Sequence, residues 1–221
     1  MAEPQEQPAE PLPKKSRVRY VSERGPFEIR ANPTLNQPRK RGTVDRARVH
    51  ENYEQSPLAE KYGKAGEEKM IEMAHATAGG ITSTRLFDQD ASNGMRLSHV
   101  WMGANYQLSR HSHPKFGDCL YCVVAGEIYL GSRRLGAGSV IFLPEGMPYK
   151  FKAGPAGAEV LEYRSDGEGD KNAPLVKLAE DSIESIQQII DAGKAHQHEW
   201  EAPEQCGETA IRQAELDGRT K

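Results

Sequence analysis

Cysteine, aromatic residues and long apolar runs are all scarce in this chain, and each scarcity removes a class of protein. Three cysteines in 221 residues, Cys119, Cys122 and Cys206, are too few for a disulfide scaffold. Cys119 and Cys122 stand as C-x-x-C, but inside a strand-like run, and no second pair completes a zinc ribbon. No apolar run reaches membrane-spanning length, and the opening "MAEPQEQPAE" lacks the apolar centre of a signal peptide. A cytoplasmic, reducing compartment is therefore expected, with no membrane partner. A net charge of −3 excludes a general polyanion binder, and only 37% of residues are hydrophobic, so part of the chain is expected outside the core.

Against these absences stand 21 glycines and 14 prolines, most of which punctuate short segments after Ile81. Residues 1–42 read as a disordered or loosely docked arm. The first fifty residues hold eleven Lys or Arg against six acids. Without an aromatic platform or a helix-turn-helix pattern, that charge reads as a solvated tail, and a nucleic-acid partner is not expected. Within the arm, Val18, Tyr20, Phe27 and Ile29 could pair as short strands. Residues 43–80 read as a helical extension: "EEKMIEMAHA" spaces Met70, Met73, Ala74 and Thr77 helically, and Gly79-Gly80 follows as a stop. His75, alone on that helix, reads as a packed or surface residue.

From 81 to 165 the pattern becomes β. Nine short runs, from "ITSTRLF" to "AEVLEYR", follow one another with no helix between them, which excludes βαβ units. An antiparallel sandwich or barrel fits, a jelly roll being the common eight-strand form. Residues 166–221 read as a polar linker, one amphipathic helix and a frayed polar tail. In "PLVKLAEDSIESIQQIIDAG", Ile183, Ile186 and Ile190 share a face and Gly193 is the expected stop. That face should cover the barrel end or a second subunit.

The chemistry gathers in "SRHSHPKFGDC". Residues two apart in a strand project from one face, about 7 Å apart along the chain. His111 and His113 would thus aim both imidazoles at one point, with Ser112 turned away. An ion about 2.1 Å from each nitrogen is within their joint reach. Pro114 ends the strand, and "KFGD" turns the chain so that Asp118 or Cys119 can swing back. Two imidazoles and a carboxylate leave the other positions of an ion open, as in non-haem iron oxygenases. "HQH" at His196–His198 has the same spacing but lacks flanking strands, and it is set aside.

The stretch from Asn105 to Tyr149 resembles the two sequence motifs of the cupin superfamily. His111, His113 and Gly126 match the first motif. Gly138, "SVIFL", Pro144, Gly146 and "MP" match the second up to its final position. Two departures stand out. Counting forward from His113, the family's carboxylate falls on Asp118; counting back from Gly126, it falls on Cys119. Tyr149 occupies the place of the last metal-binding histidine, and its phenol is better suited to proton transfer or to a substrate contact than to ligation. A thiol at Cys119 is also possible in cupin thiol dioxygenases, but those use three histidines.

The resemblance implies an all-β, cupin-type jelly-roll barrel with flanking N-terminal and C-terminal helices, a small-molecule site in its mouth, and commonly a homodimer. It implies one divalent metal, Fe(II) before Mn, Ni or Zn, on His111, His113 and Asp118. The activity implied is dioxygenase chemistry on an oxygen-rich substrate, with a lyase, an isomerase or a non-catalytic binding module as alternatives. By alternation, His99 and Trp101 could line the pocket, His99 supplying a third nitrogen. Tyr106, Tyr121, Cys119 and Glu162 or Tyr163 are further candidates.

Overall fold

The computed structural model describes residues 19–21, 28–40, 43–88, 94–165 and 176–218. The arm before residue 19, the segment holding Phe27 and most of the linker after Ser165 lie outside those residues. Within the arm, β1 (Arg19–Val21) pairs antiparallel with β2 (Glu28–Arg30), bringing Tyr20 opposite Ile29.

Helix α1 (Arg46–Glu54) starts where the Asp45 side chain accepts from the Arg48 amide. Helix α2 (Pro57–Thr77) opens on Pro57, whose missing amide proton costs nothing at a helix start. It kinks at Gly63, where φ is +50°. Helix α3 (Ile183–His196) begins at Ser182, whose hydroxyl accepts from the Ser185 amide. Its buried stripe is Ile186, Ile189 and Ile190, packed on Met70, Met73 and Ala76 of α2 and on Leu58. The apolar face of α3 is therefore covered within the chain, by α2, and not by a barrel end. Gly193 lies inside α3 and is not its stop. A Cβ there would come 2.5 Å from the Ala76 carbonyl oxygen, so the glycine lets the two helices touch.

The main sheet holds six strands: β3 (Ile81–Asp88), β4 (Met95–Met102), β6 (Cys119–Leu130), β7 (Arg133–Gly136), β8 (Val140–Leu143) and β9 (Lys152–Ser165). They run in the order β3-β4-β9-β6-β7, and β8 pairs with β6; every pairing is antiparallel. A second sheet joins β5 (His111–Ser112) to β10 (Lys177–Leu178). "CLYCVVA" and "GEIYL" form the single strand β6, which is bulged beside Gly126. Gly126 has φ +65°, and a Cβ would meet the Gly157 carbonyl oxygen at 2.2 Å. "NYQLSR" is not a strand. Asn105 takes a left-handed φ of +55° and the Tyr106 amide bonds the Gly103 carbonyl, so the backbone turns there.

Alternation then gives the sheet two faces. Arg96, Ser98, Val100 and Met102 of β4, with Val160, Glu162 and Arg164 of β9, border a cavity. Leu97, His99, Trp101 and Glu159 turn the other way. That outer face is covered by the C-terminal segment, which is ordered where a frayed tail is expected. Trp200 is buried and donates its Nε1–H to the Ala104 carbonyl. Helix α4 (Thr209–Leu216) packs along β9. Polar composition hid this segment, because one tryptophan and a buried carboxylate anchor it in place of an apolar stripe.

Candidate functional site

One backbone bridge of two hydrogen bonds sets the site. The His111 amide donates to the Tyr149 carbonyl and the Tyr149 amide donates back to His111, so the first and last positions of the two motifs lie side by side. The His111 Nδ1–H donates to the Ser109 carbonyl at 2.7 Å, which fixes its tautomer and leaves a lone pair on Nε2. That Nε2 lies 3.2 Å from Nε2 of His113. The strand ends after Ser112, and this break in direction turns the His113 ring back onto His111.

Beyond the imidazoles runs a hydrogen-bonded chain. The Tyr149 hydroxyl is 3.0 Å from His113 Nε2 and 2.7 Å from the Tyr121 hydroxyl. Tyr121 donates its own proton to Glu162 at 2.9 Å, so Tyr149 is the donor between the two phenols. Arg164 pairs with Glu162 and also points Nη2 at the Tyr149 oxygen, 3.5 Å away. Burial opposes charge on Glu162, yet the Arg164 guanidinium and the Tyr121 hydrogen bond hold its carboxyl below the usual range. Burial pushes both phenols up, and the Glu162 charge adds to that, so each keeps its proton at neutral pH. Burial also keeps His111 in its neutral form, lowering its pKa against the pull of the Ser109 carbonyl. These groups open onto a cavity of about 820 Å³, within the range of small-molecule sites. Phe116 covers part of it, with the guanidinium carbons of Arg96 and Arg164 5.1 and 5.7 Å from its ring centre.

The other candidates are placed differently. Asp118 does not join the imidazoles. It is exposed, and its carboxylate accepts from the Glu145 amide at 2.9 Å, tying its loop to the turn before Tyr149. Cys119 is buried opposite Arg164 and does not line the cavity; desolvation pushes its thiol up to about 12, which keeps it protonated. Tyr106 stacks edge-on against Trp200 outside the cavity. His99 and Trp101 face the opposite side of the sheet, because cavity and outer face alternate along β4 and the cavity takes the even-numbered residues. Glu162, not Tyr163, faces inward. Arg164 was missed, although the alternation that places Glu162 inward places Arg164 there too.

On the outer face, His99, Glu159 and Cys206 put ligand atoms within 4.8 Å of one another, the one such group of three among the described residues. Both Glu159 oxygens are already engaged: with His99 Nε2 and the Gly207 amide on one side, and with the Thr209 amide on the other, all at 2.7 Å. This arrangement anchors α4. Among the described residues no carboxylate or thiol completes such a group with the His111–His113 pair, whose third neighbour is the Tyr149 phenol. Two imidazole nitrogens 3.2 Å apart fit the spacing of two ligands about 2.1 Å from one ion. The fixed Nδ1–H of His111 is the support that metal-binding histidines usually have.

No protein-family model matches the chain, and no curated protein matches it. Among solved structures it is similar to KdgF from Halomonas sp. (18% identity, 40% of this chain and 81% of the other, TM-score 0.35). It is also similar to the polyketide cyclase RemF from Streptomyces resistomycificus (20%, 52% and 82%, TM-score 0.39). A third match is an RmlC-like cupin from Shewanella frigidimarina (19%, 41% and 80%, TM-score 0.33). No helix among the described residues is long and apolar enough to cross a membrane.

Proposed function

We propose that the cavity is the active site of a cupin-type enzyme that uses one divalent metal to act on a small, oxygen-rich organic molecule. The observation that carries this reading is the approach of the two imidazole Nε2 atoms to 3.2 Å, with the His111 tautomer set by Ser109. His111 Nε2, His113 Nε2 and the Tyr149 oxygen converge on one point, where the two imidazoles would hold a cation with the phenol beside it. When bound, such an ion supplies Lewis-acid polarisation of a chelating oxygen, and Fe(II) adds the capacity to activate dioxygen. Tyr149 orients the substrate oxygen and moves a proton there, and Tyr121 and Glu162 fix the direction of its hydroxyl. Dioxygenase chemistry is the first version of this reading, with lyase or isomerase chemistry as the zinc or nickel version.

Elemental analysis of the purified protein, supplemented with Fe(II), Mn, Ni or Zn, tests the proposal. About one ion per chain, lost in His111→Ala, is the expected result. Oxygen uptake against chelating substrates then separates the dioxygenase from the lyase or isomerase.

A second reading rests on the imidazole pair having no carboxylate ligand beside it among the described residues: a cavity that binds its ligand through the His–Tyr–Tyr–Glu chain and takes no metal. No bound ion after supplementation, with ligand binding retained, selects it. The implied homodimer stays part of the proposal. The outer surface of β6 and β8 exposes Leu120, Val140 and Phe142 side by side, an apolar row suited to such a contact. Sedimentation velocity of Phe142→Glu against the parent chain tests it.

A further inference from the structure

The cavity wall carries a charge opposite to that of the chain. Five arginines, Arg39, Arg48, Arg85, Arg96 and Arg164, border it against two carboxylates, Asp88 and Glu162, in a protein of net charge −3. Three of the five are committed. Arg164 pairs with Glu162, and Arg85 and Arg96 share Asp88 at 2.8 and 3.1 Å. Arg39 and Arg48 have no acidic partner within ion-pair reach among the described residues, and both are exposed at the opening. One comes from the segment before α1 and the other from α1 itself. The fold thus carries two guanidiniums without an acidic partner among the described residues to one wall, beside Thr82 and Ser83.

Guanidinium groups match carboxylate and phosphate oxygens with paired N–H donors, and at a cavity mouth they are less screened than on open surface. Here they sit on the rim of an 820 Å³ space whose inner end holds the imidazole pair.

We propose that the substrate carries a carboxylate or phosphate group, bound at the mouth by Arg39 and Arg48, while its reacting oxygen faces His111 and His113. The inference rests on the active-site reading for its second half, and anion binding at the mouth stands without it. Electrostatic attraction at the mouth also draws such a substrate in faster at low salt.

Calorimetric titration of the full chain with malonate and with inorganic phosphate, at constant ionic strength with chloride as control, tests this inference. Wild type is expected to bind at least one of the two anions in preference to chloride, and the preferred anion identifies the group. The exposed double variant Arg39→Ala/Arg48→Ala, checked for fold by circular dichroism, is expected to weaken that binding about tenfold. His111→Ala/His113→Ala is expected to keep it, which excludes chelation by a site metal as its source. Binding no better than chloride, or an arginine double variant equal to wild type, overturns the inference. Anion binding that survives while no variant or supplement yields a bound metal overturns the metal reading alone.

Discussion

His99 and His111 are both buried imidazoles held against the same antiparallel sheet, yet they are finished in opposite ways. His99, on the outer face, gives Nε2 to Glu159, whose carboxylate also takes the Gly207 and Thr209 amides. The carboxylate is saturated, and the one polar atom left over, His99 Nδ1, is buried without a hydrogen-bond partner and outside the cavity. His111, on the cavity face, spends its Nδ1–H on a backbone carbonyl and turns an Nε2 lone pair toward a second imidazole beside open space. Burial alone does not distinguish an anchor from a site. The distinction lies in whether the capacity an imidazole leaves over is sealed in the packing, as at His99 Nδ1, or faces a cavity, as at His111 Nε2.

The largest way to break this contrast is Glu159→Ala. It strands the fully buried His99 ring and leaves the Gly207 and Thr209 amides without their acceptor, and the expected loss is about 3–5 kcal/mol of unfolding free energy. Urea denaturation measures it, and a loss below about 1 kcal/mol would make the outer-face cluster incidental. The corresponding change on the cavity face is Tyr149→Phe. It should cost the fold only about 1 kcal/mol, because one hydroxyl is removed and the ring stays packed. It should lower turnover about a hundredfold, roughly 2.7 kcal/mol in barrier, the low end for loss of a proton-transfer group. Steady-state kinetics on the substrate found by the activity screen, beside a denaturation curve, separates the two costs. A variant that loses stability but not activity would move Tyr149 to the anchoring side.

The two faces also differ in how far they could be read from sequence. Alternation in "RLSHVW" groups His99 with Trp101, but it cannot say which of the two faces meets the cavity; that depends on what covers the sheet. The cover on the outer face comes from residues 200–216, a segment whose polar composition carries no periodic signal. The cavity face was more legible, because His111 and His113 are two apart and the glycines of the second motif fix Tyr149 at the end of a turn. Asp118 was misplaced because sequence spacing measures distance along the chain, and here the loop turns its carboxylate toward the Glu145 amide. Gly193 was misjudged for a related reason. A glycine late in a helix reads as a stop, and only the approach of the Ala76 backbone reveals it as a contact. The helices were the easier part: the spacing of Met70 and Met73, and of Ile186 and Ile190, is local, and so is the physics that makes them amphipathic.

A smaller effect sharpens the contrast at Trp200. Its ring fills the space above Gly80 and Gly103, where Cβ atoms would fall within 2.7 Å of it, and its N–H reaches the Ala104 carbonyl. Trp200→Phe keeps an aromatic ring but leaves that carbonyl without its donor and part of the space unfilled, so a loss of about 1–2 kcal/mol is expected. Turnover should not change. A fall in turnover at constant stability would mean that the C-terminal segment reports to the cavity.

The smallest expected effect is a slope. Burial disfavours the Glu159 carboxylate, but His99 and the Gly207 and Thr209 amides outweigh it and hold its pKa below the ordinary 4.5. Between that depressed value and 4.5 the unfolded chain binds a proton that the folded chain refuses. Stability therefore rises with pH across this window, is complete above it, and is lost as pH falls through the folded value. One proton limits the slope to about 1.4 kcal/mol per pH unit. Glu72, lowered to about 2 by Lys194 and Lys69, and Glu162 act in the same direction, so the contribution of Glu159 is the difference between wild type and Glu159→Gln. In that comparison Trp200 fluorescence and the exchange of the Gly207 and Thr209 amides should respond to acid earlier than the cavity face does. The wild-type acid limb should be steeper than that of the glutamine variant. Parallel limbs would mean that the outer-face carboxylate is held by shape and not by charge, and the two histidines would then differ less than their hydrogen bonds suggest.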